Sequence, residues 1–289
     1  MLKKLSKFII FNTIGLITKI FFKFLKKSNK IYVINYHATY PEFNYNFIKQ
    51  LNFFKKHFEF ADINTLKKGL FSKKPKILLT FDDAHISNIQ VSRLLSKNKI
   101  FGIFFVPVNF VLRETEKNIE DEFKITTKKF SILSNFYLDK KNNYQRLSMK
   151  ISDLKNLKKK GFEVGCHSMN HLRLNNELNM SQLSEEIVES KKTLEKELKI
   201  KIDLFCWVIG DDKSYSYDAF NLILKNYKYS FMTYNKPFGE HDSSFQIQRF
   251  NVETQFNLNQ VSFILSGIYE YFYKSKRLRL DKLLRNENI

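Results

Sequence analysis

An α/β fold built on parallel strands is expected from three features of this 289-residue chain. Short apolar runs recur at 31–37, 76–83, 101–108, 162–167, 203–209, 229–234 and 245–252, each of strand length. Helix-like stretches, including 86–99, 151–160 and 180–199, separate most of them. Repeated β then α argues for parallel strands joined by crossover helices. The length suffices for one large domain with a substantial core.

The elements follow in order. Residues 1–30 carry eight lysines and no acid. At helical spacing Asn12, Lys19, Lys23, Lys26 and Lys30 fall on one face, and Ile10, Ile14, Ile17, Phe21 and Leu25 on the opposite one. Such a basic amphipathic helix suits the headgroup region of an anionic membrane; the alternative is an apolar face packed on the domain. Lys19 interrupts it as a spanning segment, and lysines flank both ends. No small-residue cleavage site follows, so a removed signal peptide is not expected. The main domain is placed at 31–273. Within it, residues 113–150 break the β/α alternation, and a stretch of that length reads as a lid or substrate rim. Residues 274–289 read as a basic C-terminal tail.

Chemistry concentrates at strand ends. The run Ile77-Leu78-Leu79-Thr80-Phe81 ends in Asp82-Asp83, and Gly161-Phe162-Glu163-Val164-Gly165-Cys166 runs into His167, with His171 four residues on. In parallel α/β architectures the C-terminal strand ends gather functional groups. Neighbouring carboxylates on a strand end point in different directions, so one can ligate a cation while the other serves as general base. Two histidines and a carboxylate with an open position form the ligand set of a hydrolytic metal centre. The bland reading is an acidic helix cap and a solvated histidine turn.

These residues, TFDD followed by GFEVGCHSMNH, resemble the motifs of the polysaccharide deacetylases of carbohydrate esterase family 4, from about Ile31 to Val252. The resemblance implies a distorted, incomplete (β/α) barrel of about seven mostly parallel strands. It implies Asp82 as catalytic base, and Asp83, His167 and His171 as holders of one divalent metal ion, with zinc expected. It also implies removal of an N-acyl group, usually acetyl, from an amino sugar. A deformylase on a lipid-linked amino sugar and a non-catalytic glycan-binding protein of the same fold are the alternatives.

Three departures shape the rest. Ala84 stands where the family usually has glycine. The later R-x-P-x-G or Y-P-x-G motif appears as Phe205-Cys206-Trp207-Val208-Ile209-Gly210, so the arginine that pairs with the base is missing, and Arg249 is expected to supply it from a neighbouring strand end. The C-terminal L-H-D motif is absent, whereas Ile31-Tyr32-Val33-Ile34-Asn35-Tyr36-His37 delivers a histidine to a strand end. This resembles the circularly permuted members and makes His37 the expected general acid. Trp207 and His85 are expected to line the substrate site, and His241 lies in a solvated Gly-Glu-His-Asp turn.

A net charge of +20 invites a nucleic-acid partner. No nucleic-acid motif accompanies it, and a solvated lysine surface accounts for the charge, so the partners expected are an N-acetylated sugar and an anionic membrane surface. Cys166 and Cys206 sit in apolar strand-like segments and read as small core residues rather than a disulfide. Without an exported signature, the expected location is the cytoplasmic face of a membrane, on a nucleotide-linked or lipid-linked sugar in surface-polysaccharide assembly.

Overall fold

The computed structural model describes residues 2–69, 72–211 and 213–286, with side chains from residue 12 onward. Eight strands form one sheet: β1 (Ile31–Tyr36), β2 (Glu59–Phe60), β3 (Lys76–Phe81), β4 (Gly102–Val106), β5 (Glu163–Cys166), β6 (Leu204–Cys206), β7 (Tyr229–Met232) and β8 (Ile247–Asn251). They lie in the order β1-β8-β7-β6-β5-β4-β3-β2, and β1 also pairs with β3. All these pairings are parallel. Seven strands therefore close a barrel, and the two-residue β2 lies beside the start of β3. The ring is one strand short of a full (β/α)8 barrel, as expected of the distorted, incomplete form. Pairing is thin at β5–β6, which share a single registered pair, Cys166 with Phe205.

The two-residue period of each strand divides the core. Ile31, Val33, Leu78, Ile103, Phe105, Leu204, Cys206, Phe231 and Ile247 fill the barrel interior. Tyr32, Ile34, Tyr36, Ile77, Leu79 and Phe81 face outward, under the helices. Both faces are covered, which is why the strands read as unbroken apolar runs. The covering helices include α2 (Asn44–His57) and the segments Asn88–Lys97, Ile151–Lys159, Ser190–Leu198, Tyr217–Asn226 and Leu258–Leu265.

Residues 113–150 fold on a small apolar cluster of their own, Phe110, Phe130, Ile132 and Leu147. Two buried carboxylates anchor it. Glu122 pairs with Arg113 and accepts from the backbone N–H of Glu116 (2.7 Å) and of Leu147 (3.2 Å). Asp139 accepts from the hydroxyl of Tyr40 (2.8 Å). Each ties a charged group to donors that offset its burial.

The two ends of the chain depart from expectation. α1 (Leu2–Leu25) lies along the helix Leu258–Leu265, but not by the apolar stripe that the alternative reading would turn to the domain. Gly15, Thr18 and Phe22 are buried, whereas Ile17 and Phe21 are 54% and 53% exposed. The reason is close approach. A Cβ on Gly15 would lie 2.3 Å from the carbonyl oxygen of Asn259, and the hydroxyls of Thr18 and Ser262 meet at 3.2 Å. Ile10 lies outside the residues with described side chains. At the other end, Lys274–Leu284 is a helix rather than a tail, with Leu280 and Leu284 buried.

Candidate metal centre and active site

Strand register assembles the site. Tyr36 of β1 is paired with Phe81 of β3, and the N–H of Asp82 donates to the carbonyl of Tyr36 (2.8 Å), so His37 and Asp82 leave adjacent strands side by side. Val106 is paired with Cys166, and the N–H of His167 continues that ladder to the carbonyl of Val106 (2.9 Å). Asp82, Asp83, His167 and His37 therefore emerge at the same, C-terminal end of the barrel. They line a cavity of about 260 Å³ together with His171, Arg249, Trp207, Asn35 and Asn251.

Asp83 and the two histidines form a candidate ligand triad. Asp83 Oδ1 lies 3.4 Å from His167 Nε2 and 3.2 Å from His171 Nε2. A tetrahedral ion with bonds of about 2.1 Å spaces its ligands by about 3.4 Å, so the separations fit. Each imidazole uses its Nδ1 on a backbone carbonyl: His167 on Cys206 (2.9 Å) and His171 on Phe130. Carbonyls only accept, so each Nδ1 carries the proton and each neutral Nε2 presents a lone pair, the outer-sphere arrangement of metal-binding histidines. Asp83 Oδ1 is buried without a hydrogen-bond partner. Burial raises the Asp83 carboxyl, but positive charge at His171 and His167 outweighs it and holds the group well below the ordinary carboxylate value when the rings are protonated; with the rings neutral, a bound cation would take over that charge. An acceptor-only, anionic, orphaned oxygen between two lone pairs is what a cation requires. The backbone is strained around it, with φ of 71° at Asp83, 68° at Ser168 and 60° at His171.

The second carboxylate is held differently. Asp82 receives both arms of the Arg249 guanidinium, Nη1 to Oδ1 at 2.6 Å and Nη2 to Oδ2 at 2.8 Å. The two residues are 2% and 0% exposed, so this is an interior ion pair. Arg249 Nη1 also donates to Thr80 Oγ1 (3.0 Å) and Nη2 to Cys206 Sγ (2.8 Å). Burial pushes the Asp82 carboxyl up, and Arg249, with His167 and His37, brings it net below its ordinary value. Asp82, His167 and Cys206 also come together closely enough to hold an ion. Cys206 is a poor ligand, because burial pushes its thiol well above the usual range and Arg249 already occupies Asp82.

His37 lines the same cavity. Its Nδ1 meets Glu253 Oε1 at 2.6 Å. Burial lowers the imidazole pKa, but Glu253, with smaller contributions from Asp83 and Asp82, raises it to about 10. Glu253 was not singled out in the sequence. Its signal lies in the register: Asn35 pairs with Asn251 across β1 and β8, so His37 and Glu253, each two residues on, stand level.

Trp207 borders the cavity but is wholly buried, with its indole N–H donating to Ser230 Oγ (2.9 Å). His85 does not line the cavity as expected. It is fully buried behind the site, with Nδ1 on Ser87 Oγ (2.8 Å) and Nε2 3.4 Å from Asp139. The insertion takes up that ring through Asp139, whereas Ser131 and Leu133 of the same insertion reach the cavity instead. His241 is exposed in a turn. Ile209, 43% exposed at φ 62°, also borders the cavity. Cys166 and Cys206 are free and buried.

A family model described as polysaccharide deacetylase matches residues 71–232, more than half of the chain. The chain belongs to the polysaccharide deacetylase family. Similar solved structures include the Streptococcus pyogenes deacetylase PplD in complex with acetate, at 16% identity and a TM-score of 0.61 over 83% of this chain and 99% of that one. IcaB from Ammonifex degensii is similar at 16% identity and a TM-score of 0.59, over 83% of this chain and 98% of that one. BC0361, a polysaccharide deacetylase from Bacillus cereus, reaches 20% identity and a TM-score of 0.59, over 82% of this chain and 69% of that one. No curated protein sequence matches. As in the circularly permuted deacetylases, the strand carrying His37 comes first in the chain and lies between β3 and β8.

The altered third motif now has a physical account. Counting back from Gly210, Cys206 holds the place of the arginine in R-x-P-x-G. Its small side chain leaves room that the Arg249 guanidinium fills from β8. Gly210 is retained because a Cβ there would lie 1.8 Å from Thr233 Oγ1 at a φ of +76°.

Proposed function

We propose that the protein is a metal-dependent deacetylase that hydrolyses the N-acetyl group of an amino sugar in a surface polysaccharide or glycolipid. The observation that carries the reading is the triad Asp83, His167 and His171 set between a base held by Arg249 and an acid held by Glu253. These three side chains would hold one divalent cation, with zinc the ion proposed. The ion supplies Lewis-acid polarisation of the acyl carbonyl and makes the attacking water acidic enough for a weak base to deprotonate.

The chain's own residues handle the protons. Asp82 is kept anionic by Arg249 and accepts a proton from the water as it adds to the acyl carbon. The C–N bond then breaks, and His37, protonated through its pairing with Glu253, donates from Nε2 to the departing amine. Balance is complete: water provides the hydroxyl of the acetate and one proton to Asp82, and the amine takes the proton of His37. Leu133, Trp207 and Ile209 give the cavity an apolar side suited to an acetyl methyl. Acetate release from N-acetylated sugars, run beside metal analysis of the purified chain, tests the reading. Asp82→Asn should abolish release while metal stays bound, and full turnover by that variant, or by metal-free protein, overturns it.

A further inference from the structure

The two faces of α1 are arranged in an unusual way. Among the residues with described side chains, those fully buried on the face turned to the domain are Gly15, Thr18 and Phe22, two of them small or polar, with Ile14 and Leu25 half-buried. The large apolar side chains of the next turns point outward: Ile17 is 54%, Ile20 66%, Phe21 53% and Phe24 82% exposed. Positions 17, 20, 21 and 24 follow the i, i+3, i+4, i+7 spacing of one helical stripe. A soluble domain ordinarily turns such a stripe inward.

The surroundings of the stripe carry positive charge. Lys23 stands one turn from Ile20, Lys19 shares a groove with Ile20, and Lys27, just past the helix end, is paired with Glu270 (2.7 Å). On one side, a groove of about 870 Å³ between α1 and α2 is lined by Lys19, Lys49 and Lys56 and, among its lining residues, no acid. His57 in that groove is pushed down to about 4, chiefly by burial, with Lys26 and Lys56 adding to the shift. Near the end of α1, the rings of Tyr271 and Phe272, 79% and 65% exposed, share a cavity with Lys27 and its ion-pair partner Glu270. Among the described residues no helix is long and apolar enough to cross a membrane.

We propose that this face of α1 is a docking surface for an anionic lipid bilayer, with Ile17, Ile20, Phe21 and Phe24 entering the acyl boundary and the bordering lysines meeting lipid phosphates. The occupant follows from the combination. A protein partner would meet the apolar stripe equally well, but a border of ammonium groups around an apolar strip complements the layered chemistry of a bilayer: phosphate outside, hydrocarbon beneath. The surface is separate from the catalytic cavity, and its test reads binding rather than turnover, so its failure is distinguishable from failure of the proposed reaction.

The experiment is vesicle flotation of the full chain with phosphatidylcholine vesicles and with mixed phosphatidylcholine and phosphatidylglycerol vesicles, at about 0.1 M and about 1 M salt, where the Debye length falls from about 10 Å to about 3 Å. Wild type should partition at least tenfold better onto the anionic vesicles, with that preference lost at high salt. The triple variant Ile20→Ser, Phe21→Ser, Phe24→Ser should lose at least tenfold in partitioning at unchanged melting temperature, since all three side chains are exposed. Lys19→Gln with Lys23→Gln should lose the anionic preference alone. Equal binding to both vesicles, an unaffected triple variant, or a wild-type dimer that the triple variant abolishes without any vesicle binding would each overturn the proposal.

Discussion

Replacing Arg249 with alanine isolates the interaction on which the base depends. The ion pair is interior and bidentate, so the variant leaves an unpaired carboxylate in a site where burial alone pushes its pKa up. Breaking such a pair costs about 3 to 5 kcal/mol. At about 2.1 cal/mol/K of unfolding entropy per residue, 289 residues give roughly 0.6 kcal/mol/K, so the melting temperature should fall by about 5 to 8 °C near neutral pH. The sign reverses with protonation. In wild type the depressed Asp82 contributes stability above the unfolded value near 3.9, lost as pH falls through the folded pKa. In the variant the carboxyl is raised, so the deficit is greatest at neutral pH and shrinks as pH falls through the new value. Activity needs the anion, so the acid limb of the pH–rate profile should move up by more than one unit. Arg249→Lys should restore the charge and part of the profile without the fork geometry. Thermal melts across pH and a pH–rate profile read both effects; an unmoved acid limb together with an unmoved melting temperature would refute the reasoning.

Two other perturbations follow from the same geometry. His171→Ala removes one of three ligands, so zinc at a hundredfold excess over its wild-type dissociation constant should stabilise the wild type by about 2.7 kcal/mol and the variant not at all; equal zinc-induced shifts in melting temperature would contradict the triad. For the acid, His37→Ala should cost about 10²- to 10⁴-fold in kcat. Glu253→Gln removes what raises His37 to about 10, so the basic limb should move to lower pH; the stabilising pair, fully present below the unfolded value near 6.5 and lost as pH rises through about 10, should vanish from the melts.

The motifs were readable because their chemistry is local. Adjacent aspartates and histidines four apart need no knowledge of distant pairing, and the apolar runs around them announce buried parallel strands. Arg249 was readable for a different reason: an interior base lacking its arginine requires one, and a strand-end arginine was at hand. Glu253 was hidden, because its partnership with His37 exists only once β8 lies beside β1. His85 was misplaced because its burial depends on Asp139, 54 positions away in a segment without clear periodicity. The packing face of α1 was not legible, since hydropathy ranks Ile17 and Phe21 above Gly15. At a helix crossing this tight, steric room decides instead.

The span from Arg249 to Glu253 also has a mechanical meaning. One short stretch of chain steadies Asp82, the proposed proton acceptor, with its first residue and His37, the proposed proton donor, with its last, so the two halves of the proposed reaction hang from a common bracket. Any displacement of that bracket, by strain, mutation or a neighbouring molecule, would detune both halves together.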